Sequence, residues 1–131
     1  MNLGKVDMDD GAAPLFRQIA MLVEDSIVNG DLAAGQQVPS TNELAGFHDI
    51  NPATARKGLG LLVERGVLFK RRGVGMFVTD KARRLILDRR RESFTAGYLV
   101  PLVDEAIKLD LTRQEVRELV DAVAESRGLY G

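Results

Sequence analysis

The chain has 131 residues, of which 45% are hydrophobic and 28% charged. This is enough for one ordinary domain, or for one small domain with an appendage, and the chain is too apolar for disorder. It has no cysteine and one histidine, which excludes disulfides and cysteine nucleophiles and leaves too few ligands for a zinc site. It contains no run of about 18 apolar residues and no basic-then-apolar leader, so we expect no membrane span, no secretory export and a cytoplasmic location.

The net charge of −1 conceals an uneven distribution of charge along the chain. Residues 51–79 carry six basic side chains against one acidic one, and residues 80–95 carry six against three. Residues 1–50 and 96–131 are both acidic. A local basic face is the signature of a nucleic-acid-binding protein, whatever the charge of the whole chain. The alternative is that these charges only form a solvated surface.

Helical signals begin after a polar arm at residues 1–13. Pro14 suits the first position of a helix, where its missing N–H costs nothing. Four apolar residues then recur at helical spacing, namely Leu15, Ile19, Val23 and Ile27. Gly30 is predicted to end this helix in a left-handed conformation. Residues 36–38 could pair as a short strand with a later hairpin.

Two short helices separated by a tight turn follow. Ser40 and Glu43 match the Ser-x-x-Glu capping box that begins a helix, and the single histidine, His48, is predicted to pack at its end. Asn51 and Pro52 match an N-cap followed by proline at the first helical position. The predicted apolar faces are Leu44, Ala45 and Phe47 in the second helix, and Ala55, Leu59, Leu62 and Val63 in the third.

A basic hairpin completes this region. Residues 67–69 and 76–78 are short strand candidates, and the KRRGVG segment between them combines three bases with two glycines that allow a tight turn. Two short helices and a hairpin are the outline of a winged helix-turn-helix, which holds its second helix in the DNA major groove. The predicted fold class is α+β, mainly α: a winged helix-turn-helix with a C-terminal helical dimerisation arm.

The DNA contacts are expected from three places. Free N–H groups at the start of the second helix attract phosphate, the third helix reaches base edges, and the wing lies along the backbone or in the minor groove. Ser40 and Asn51 are equally well explained as helix caps. The predicted DNA-binding residues are Ser40, Thr41, Asn42, Asn51, Ala53, Thr54, Arg56, Lys57, Arg71, Arg72, Gly73, Val74 and Gly75.

The pattern is helical again from residue 80. Pro101 predicts a kink or a break, Thr112 and Glu115 form a second capping box, and Gly128 ends the last helix. Apolar stripes in this region are too large for so small a protomer to bury, so a second copy is expected to cover them. The predicted dimerisation residues are Phe94, Tyr98, Leu102, Val116, Leu119, Val120 and Val123. The alternative is a small pocket lined by Phe94, Tyr98 and Val103.

The blocks PSTNELA, INPATARKGL and RRGVGMFV, in this order, resemble the GntR family of bacterial transcription regulators. The match runs from about Pro14 to Val78. The fifty-odd remaining residues are too few for the ligand-binding domains of the large GntR branches, and the tail KLDLTRQEVREL resembles the YtrA subfamily. The resemblance implies a homodimeric repressor, in a branch often encoded beside transporter operons. The sequence departs from the family pattern at three positions: Asn42, where many members have arginine, Asp49, where glycine is usual, and His48, where leucine is usual.

We therefore predict a DNA-binding domain at residues 1–79, with a flexible arm at 1–13, and a dimerisation tail at residues 80–131. The expected partner is a palindromic operator, which matches a two-fold dimer. No nucleophile–base pair, metal cluster or phosphate loop can be assembled, so we expect neither an enzyme nor a cofactor. The alternative function is a winged-helix protein-interaction module, which would need no outward bases. The sequence leaves open the operator, the regulated genes and whether a small molecule acts as an effector.

Overall fold

The computed structural model describes residues 13–131, which form six α-helices, one π-helical segment and a two-stranded antiparallel sheet. The helices are α1 (Leu15–Val28), α2 (Thr41–His48), α3 (Pro52–Glu64), α4 (Ala82–Phe94), α5 (Val100–Lys108) and α6 (Arg113–Arg127). The strands are β1 (Leu68–Arg71) and β2 (Gly75–Val78), and the π-helical segment spans Thr95–Leu99. The predicted fold class, mainly α with a small sheet and a C-terminal helical arm, is confirmed, whereas dimerisation through the arm stays a prediction. The arm predicted at residues 1–13 lies outside the described residues except for Ala13.

This part of the chain divides into two compact units, one ending at Arg89 and the other beginning at Arg90. The division falls inside α4, because Ala82 and Ile86 at the start of that helix are buried in the core of the first unit. The functional boundary after residue 79 remains a prediction. Within residues 13–131, no helix is long and apolar enough to cross a membrane.

The core of the first unit joins α1, α2, α3, the hairpin and the first turns of α4. Ile19, Val23 and Ile27 of α1 are buried, as their helical spacing predicts. Helices α1 and α3 pack tightly at Gly58, where a Cβ atom would lie 2.7 Å from the carbonyl oxygen of Phe16. Any larger residue at this position would push the two helices apart. The sequence pattern had not singled out Gly58.

The predicted helix ends are present, with one shift. Asn51 accepts a hydrogen bond from the N–H of Ala53 at 2.8 Å and caps α3. Gly30 and Gly128 follow α1 and α6 with φ of 88° and 79°, the left-handed conformation expected of them. Pro14 stands one position before α1 rather than at its first residue. Asp49 ends α2 with φ of 55°, so the corner keeps the left-handed conformation although it lacks glycine.

Two residues predicted for the apolar faces lie outside them. Phe47 is 52% exposed and Val63 is 37% exposed. Each residue of an α-helix advances about 100°, and this puts Phe47 roughly a quarter-turn from the centre of the buried face of α2. In α3 the buried face is shifted towards Gly58, where α1 packs, and Val63 falls at the opposite edge.

The hairpin has a third, shorter partner. Strands β1 and β2 pair in antiparallel register, with Phe69 opposite Phe77, and both extend closer to the turn than the sequence predicted. Gln37 forms a single antiparallel bridge with Phe77 on the free side of β2. This confirms the pairing predicted for residues 36–38, as one bridge rather than a full strand.

A buried carboxylate connects α1, the end of α3 and α4. The Glu24 side chain is only 3% exposed, and Arg89 Nη2 donates to its two carboxylate oxygens at 2.7 and 2.8 Å. Arg65 Nη1 donates to Glu24 Oε1 at 3.5 Å. Burial lowers the pKa of Arg65 and the nearby charge of Arg89 lowers it further, while Glu24 opposes both effects. This cluster holds the first turns of α4 against α1.

In the second unit the helical arm passes through the π-helical segment directly before Pro101. Proline lacks an N–H and its ring crowds the carbonyl four residues earlier. The widened turn at Thr95–Leu99 accommodates both effects, so the break predicted at Pro101 takes the form of a local change of helix type. The capping box of Thr112 and Glu115 at the start of α6 is confirmed.

Candidate nucleic-acid interface

The N-terminus of α2 is held by its capping box. The N–H of Ser40 donates to the carboxylate of Glu43 at 3.0 Å, and the N–H of Glu43 donates to Ser40 Oγ at 3.1 Å. The bond from the Ser40 backbone, and then the one with its side chain, lower the pKa of Glu43. Ser40 and Asn42 are exposed and Thr41 is half-buried, so the start of α2 is open to a ligand.

We expect Ser40→Ala to destabilise the protein by about 1 kcal/mol, the usual loss of an N-cap.

Because the pKa of Glu43 is lowered on folding, the contribution of Glu43 to stability is present above its ordinary pKa of 4.5 and is lost as the pH falls through the folded value. The stability difference between the natural protein and Glu43→Gln should therefore shrink in acid. Urea denaturation over a pH series measures both, with Glu125→Gln on α6 as control. If the stability difference between the natural protein and Glu43→Gln does not change with pH, the ionised carboxylate of Glu43 does not stabilise the capping box.

The outer face of α3 carries the predicted base-reading residues. Arg56, Lys57 and Ala53 are exposed, and Thr54 is half-buried. The Lys57 ammonium nitrogen lies 4.1 Å from the centre of the Phe16 ring, a cation–π contact that draws this side chain towards α1. The contact of Lys57 with α1 favours Arg56 as the base-reading residue of α3.

The hairpin of β1 and β2 is the wing, and its turn at residues 71–75 is exposed and rich in cations. Arg71, Arg72, Gly73 and Val74 are all exposed, and the N–H of Val74 donates to the carbonyl of Arg71 at 3.0 Å. Gly73 and Gly75 have φ of 75° and 145°, which residues with a Cβ rarely adopt. The turn thus requires the two glycines of the KRRGVG segment. The Arg71 guanidinium lies 5.1 Å from the centre of the Phe77 ring.

A cleft of about 300 Å³ lies between the start of α2, α3 and the wing. It gathers six of the predicted DNA-binding residues: Ser40, Thr41, Asn42, Arg56, Val74 and Gly75. The other seven do not line it: Asn51, Ala53, Thr54, Lys57, Arg71, Arg72 and Gly73. Lys70 and Gln37, which the sequence did not predict as DNA-binding residues, do line it. Lys70 could have been found from the basic run, whereas no sequence signal marked Gln37.

An apolar groove of about 600 Å³ lies in the second unit, with the π-helical segment and α5 on one side and α6 on the other. All seven predicted dimerisation residues line it, whereas Val103 does not. Tyr98 is 69% exposed, and Glu105 and Arg127 are the charged residues of the lining. Within residues 13–131 no three histidine, aspartate or glutamate side chains are grouped as metal ligands would be.

Comparison with known proteins identifies the family. The model of the family "Bacterial regulatory proteins, gntR family" matches residues 15–78. An uncharacterised HTH-type transcriptional regulator of Bacillus subtilis (strain 168), YhcF, is 30% identical over 112 residues, which cover 86% of this chain and 91% of that protein. The chain belongs to the GntR family. Since the matches to YhcF and to the family model include α2, α3 and the wing, they cover the whole cleft.

Solved structures show the GntR fold as well. A GntR family transcriptional regulator from Listeria monocytogenes superposes with a TM-score of 0.70 at 23% identity, over 87% of this chain and 98% of that one. The DNA-binding domain of AraR, solved in complex with operator ORX1, superposes with a TM-score of 0.55 at 27% identity, over 60% of this chain and 99% of that one. The protein is thus a DNA-binding transcription regulator with a winged helix-turn-helix, and its relatives are regulators rather than enzymes.

Proposed function

We propose that this GntR regulator is a cytoplasmic homodimeric repressor of the YtrA-like branch, which binds a palindromic operator and controls a transporter operon. The observation that supports DNA reading most directly is the cleft that places Arg56 of α3 beside the open N-terminus of α2 and Lys70 of the wing. The AraR domain, a relative by structure, was solved on its operator, which supports the same use of this fold.

The division of labour within the site follows from its chemistry. The start of α2 offers free N–H groups and a positive dipole end to phosphate, and Lys70, Arg71 and Arg72 add cations along the wing. These contacts supply affinity that does not depend on sequence. Arg56, with a forked guanidinium on an exposed helix face, supplies the choice of base pair.

Selection of bound fragments from random DNA tests this function. We expect the natural protein to enrich an inverted repeat whose half-sites lie about one helical turn apart, or a multiple of it. Enrichment of no sequence, by a folded protein, would favour a protein-interaction module instead. Deletion of the gene should raise the transcription of an adjacent transporter operon. Lowered transcription would mean that the protein is an activator rather than a repressor.

Dimerisation is proposed through the apolar groove of the second unit. The groove leaves large apolar side chains such as Tyr98 and Val123 open to water, which a second copy would cover. A two-fold dimer then presents two copies of α3 to two half-sites.

We expect Val123→Arg to convert the dimer into monomers, because a guanidinium would have to be taken out of water and buried among the apolar side chains of the interface. Operator affinity should fall about 100-fold or more, since each half-site would be bound separately. Analytical ultracentrifugation and binding isotherms measure the two effects. Asp121→Arg, on the same helix but outside the groove, is the matched control. A Val123→Arg protein that remains dimeric would place the interface elsewhere, and removal of all residues after Lys108 would then test the remaining arm.

A further inference from the structure

The segment before α2 runs alongside the wing. The N–H of Gly35 donates to the carbonyl of Val78 at 2.9 Å, and the N–H of Val78 donates to the carbonyl of Gln36 at 3.0 Å. Next to these bonds, the N–H of Val38 donates to the carbonyl of Met76 at 2.9 Å. Three backbone hydrogen bonds thus fix the main chain on both sides of Gln37 against β2.

From this fixed backbone the side chain of Gln37 extends to the wing turn. Its Nε2 donates to the carbonyl of Val74 at 2.9 Å. A Cβ atom at Gly75 would lie 2.5 Å from that same nitrogen, so the absence of a side chain at Gly75 leaves the space that the amide occupies. A residue from outside the hairpin therefore makes a hydrogen bond to the tip of the wing.

We infer that Gln37 is a positioning residue for DNA binding, which holds the wing turn so that Arg71 and Arg72 meet the phosphate backbone while Arg56 enters the major groove. This inference rests on the proposed function. A short two-stranded hairpin is only marginally stable by itself, and a mobile tip would lose conformational entropy when DNA orders it. The hydrogen bond from Gln37 removes part of that loss before DNA arrives. Gln37 lines the same cleft as Ser40 of the α2 N-terminus and Arg56 of α3, so its hydrogen bond positions the wing turn relative to these two helices.

A first experiment needs no DNA. Gln37→Met keeps the length and volume of the side chain and removes the amide donor. Gln36→Met is the matched control, because the Gln36 side chain instead accepts a hydrogen bond from the N–H of Ala33. Amide hydrogen exchange in the full chain, read at Gly73, Val74 and Gly75, should accelerate in Gln37→Met and stay unchanged in Gln36→Met. Unchanged exchange in Gln37→Met would overturn the inference, whether or not the protein binds DNA.

A second experiment separates positioning from direct contact. On the strongest DNA sequence recovered by selection, Gln37→Met should weaken binding about tenfold, in line with the removal of one hydrogen bond per protomer. In a protein that also carries Arg71→Ala and Arg72→Ala, the same change should weaken binding less than about twofold, because a wing turn that has lost both arginines gains little from being held in place. An equal effect in both backgrounds would mean that Gln37 contacts DNA itself and would overturn the inference. Failure of the natural protein to bind any DNA would instead refute the proposed function.

Discussion

Arg56→Ala is expected to weaken operator binding by roughly 1–3 kcal/mol per half-site and to relax the choice at one base pair. Arg56 is exposed on α3 and lines the cleft, whereas its neighbour Lys57 is drawn over the Phe16 ring. Its guanidinium can donate two hydrogen bonds to one guanine, and alanine replaces neither. Repeating the selection from random DNA with the variant would identify the base pair concerned.

Arg72→Ala provides the contrast, because its place in the wing turn favours a phosphate partner. It should weaken operator and scrambled DNA about equally, and reduce the salt dependence of binding by about one unit of slope for each phosphate that is no longer neutralised. Both arginines are exposed, so thermal stability should stay nearly unchanged in both variants. Binding isotherms over a salt series measure these effects. If neither substitution alters DNA binding in a folded protein, the basic face is only a solvated surface and the protein-interaction hypothesis should replace ours.

The largest effect on stability is expected at Arg89. Arg89→Met should lower the free energy of unfolding by about 3 kcal/mol, because it removes the nearer of the two arginines that the structure pairs with the buried carboxylate of Glu24 and leaves the more distant Arg65. Chemical denaturation of the full chain measures the change. Arg84→Met, an exposed arginine on the same helix, is the control and should change stability by less than about 0.5 kcal/mol.

The double variant Glu24→Met/Arg89→Met tests the reason for this loss. Removing both members of a buried ion pair in favour of apolar side chains of similar size is often neutral or stabilising. The double variant should therefore recover most of the stability lost in Arg89→Met. If it is as unstable as the single variant, the loss at Arg89 comes from packing of its side chain rather than from the unpaired carboxylate.

The elements that sequence predicted well are those fixed by neighbours along the chain. The capping boxes at Ser40 and Thr112 need only a partner three residues later, and Asn51 caps α3 through the amide two residues on. The glycine at 128 ends α6 because a left-handed residue there satisfies the last turn. These signals act over a few residues, so no tertiary structure is needed to interpret them.

The features that sequence missed depend on which elements meet in space. Glu24 looks like any acidic residue of an amphipathic helix, and the partners that compensate its burial, Arg65 and Arg89, lie 41 and 65 positions later in the chain. Gln37 donates its side-chain hydrogen bond to a carbonyl 37 positions away. The exposure of Phe47 and Val63 likewise follows from where the neighbouring helices pack. The sequence pattern shows that a helix has an apolar stripe, whereas the edges of the buried face depend on the neighbouring helix that packs against it.

The widened turn at Thr95–Leu99 has a consequence for the phase of the arm. In an α-helix, a step of four residues overshoots one full turn by about 40°, so a row of residues at that spacing winds steadily around the axis. A π-helical turn closes on the fifth residue rather than the fourth, so four residues fall short of a full turn there. The step from Phe94 to Tyr98 therefore offsets part of the rotation accumulated from Tyr98 through Leu102 to Ala106. All four face one groove because a single local irregularity corrects the angular drift of the regular helix.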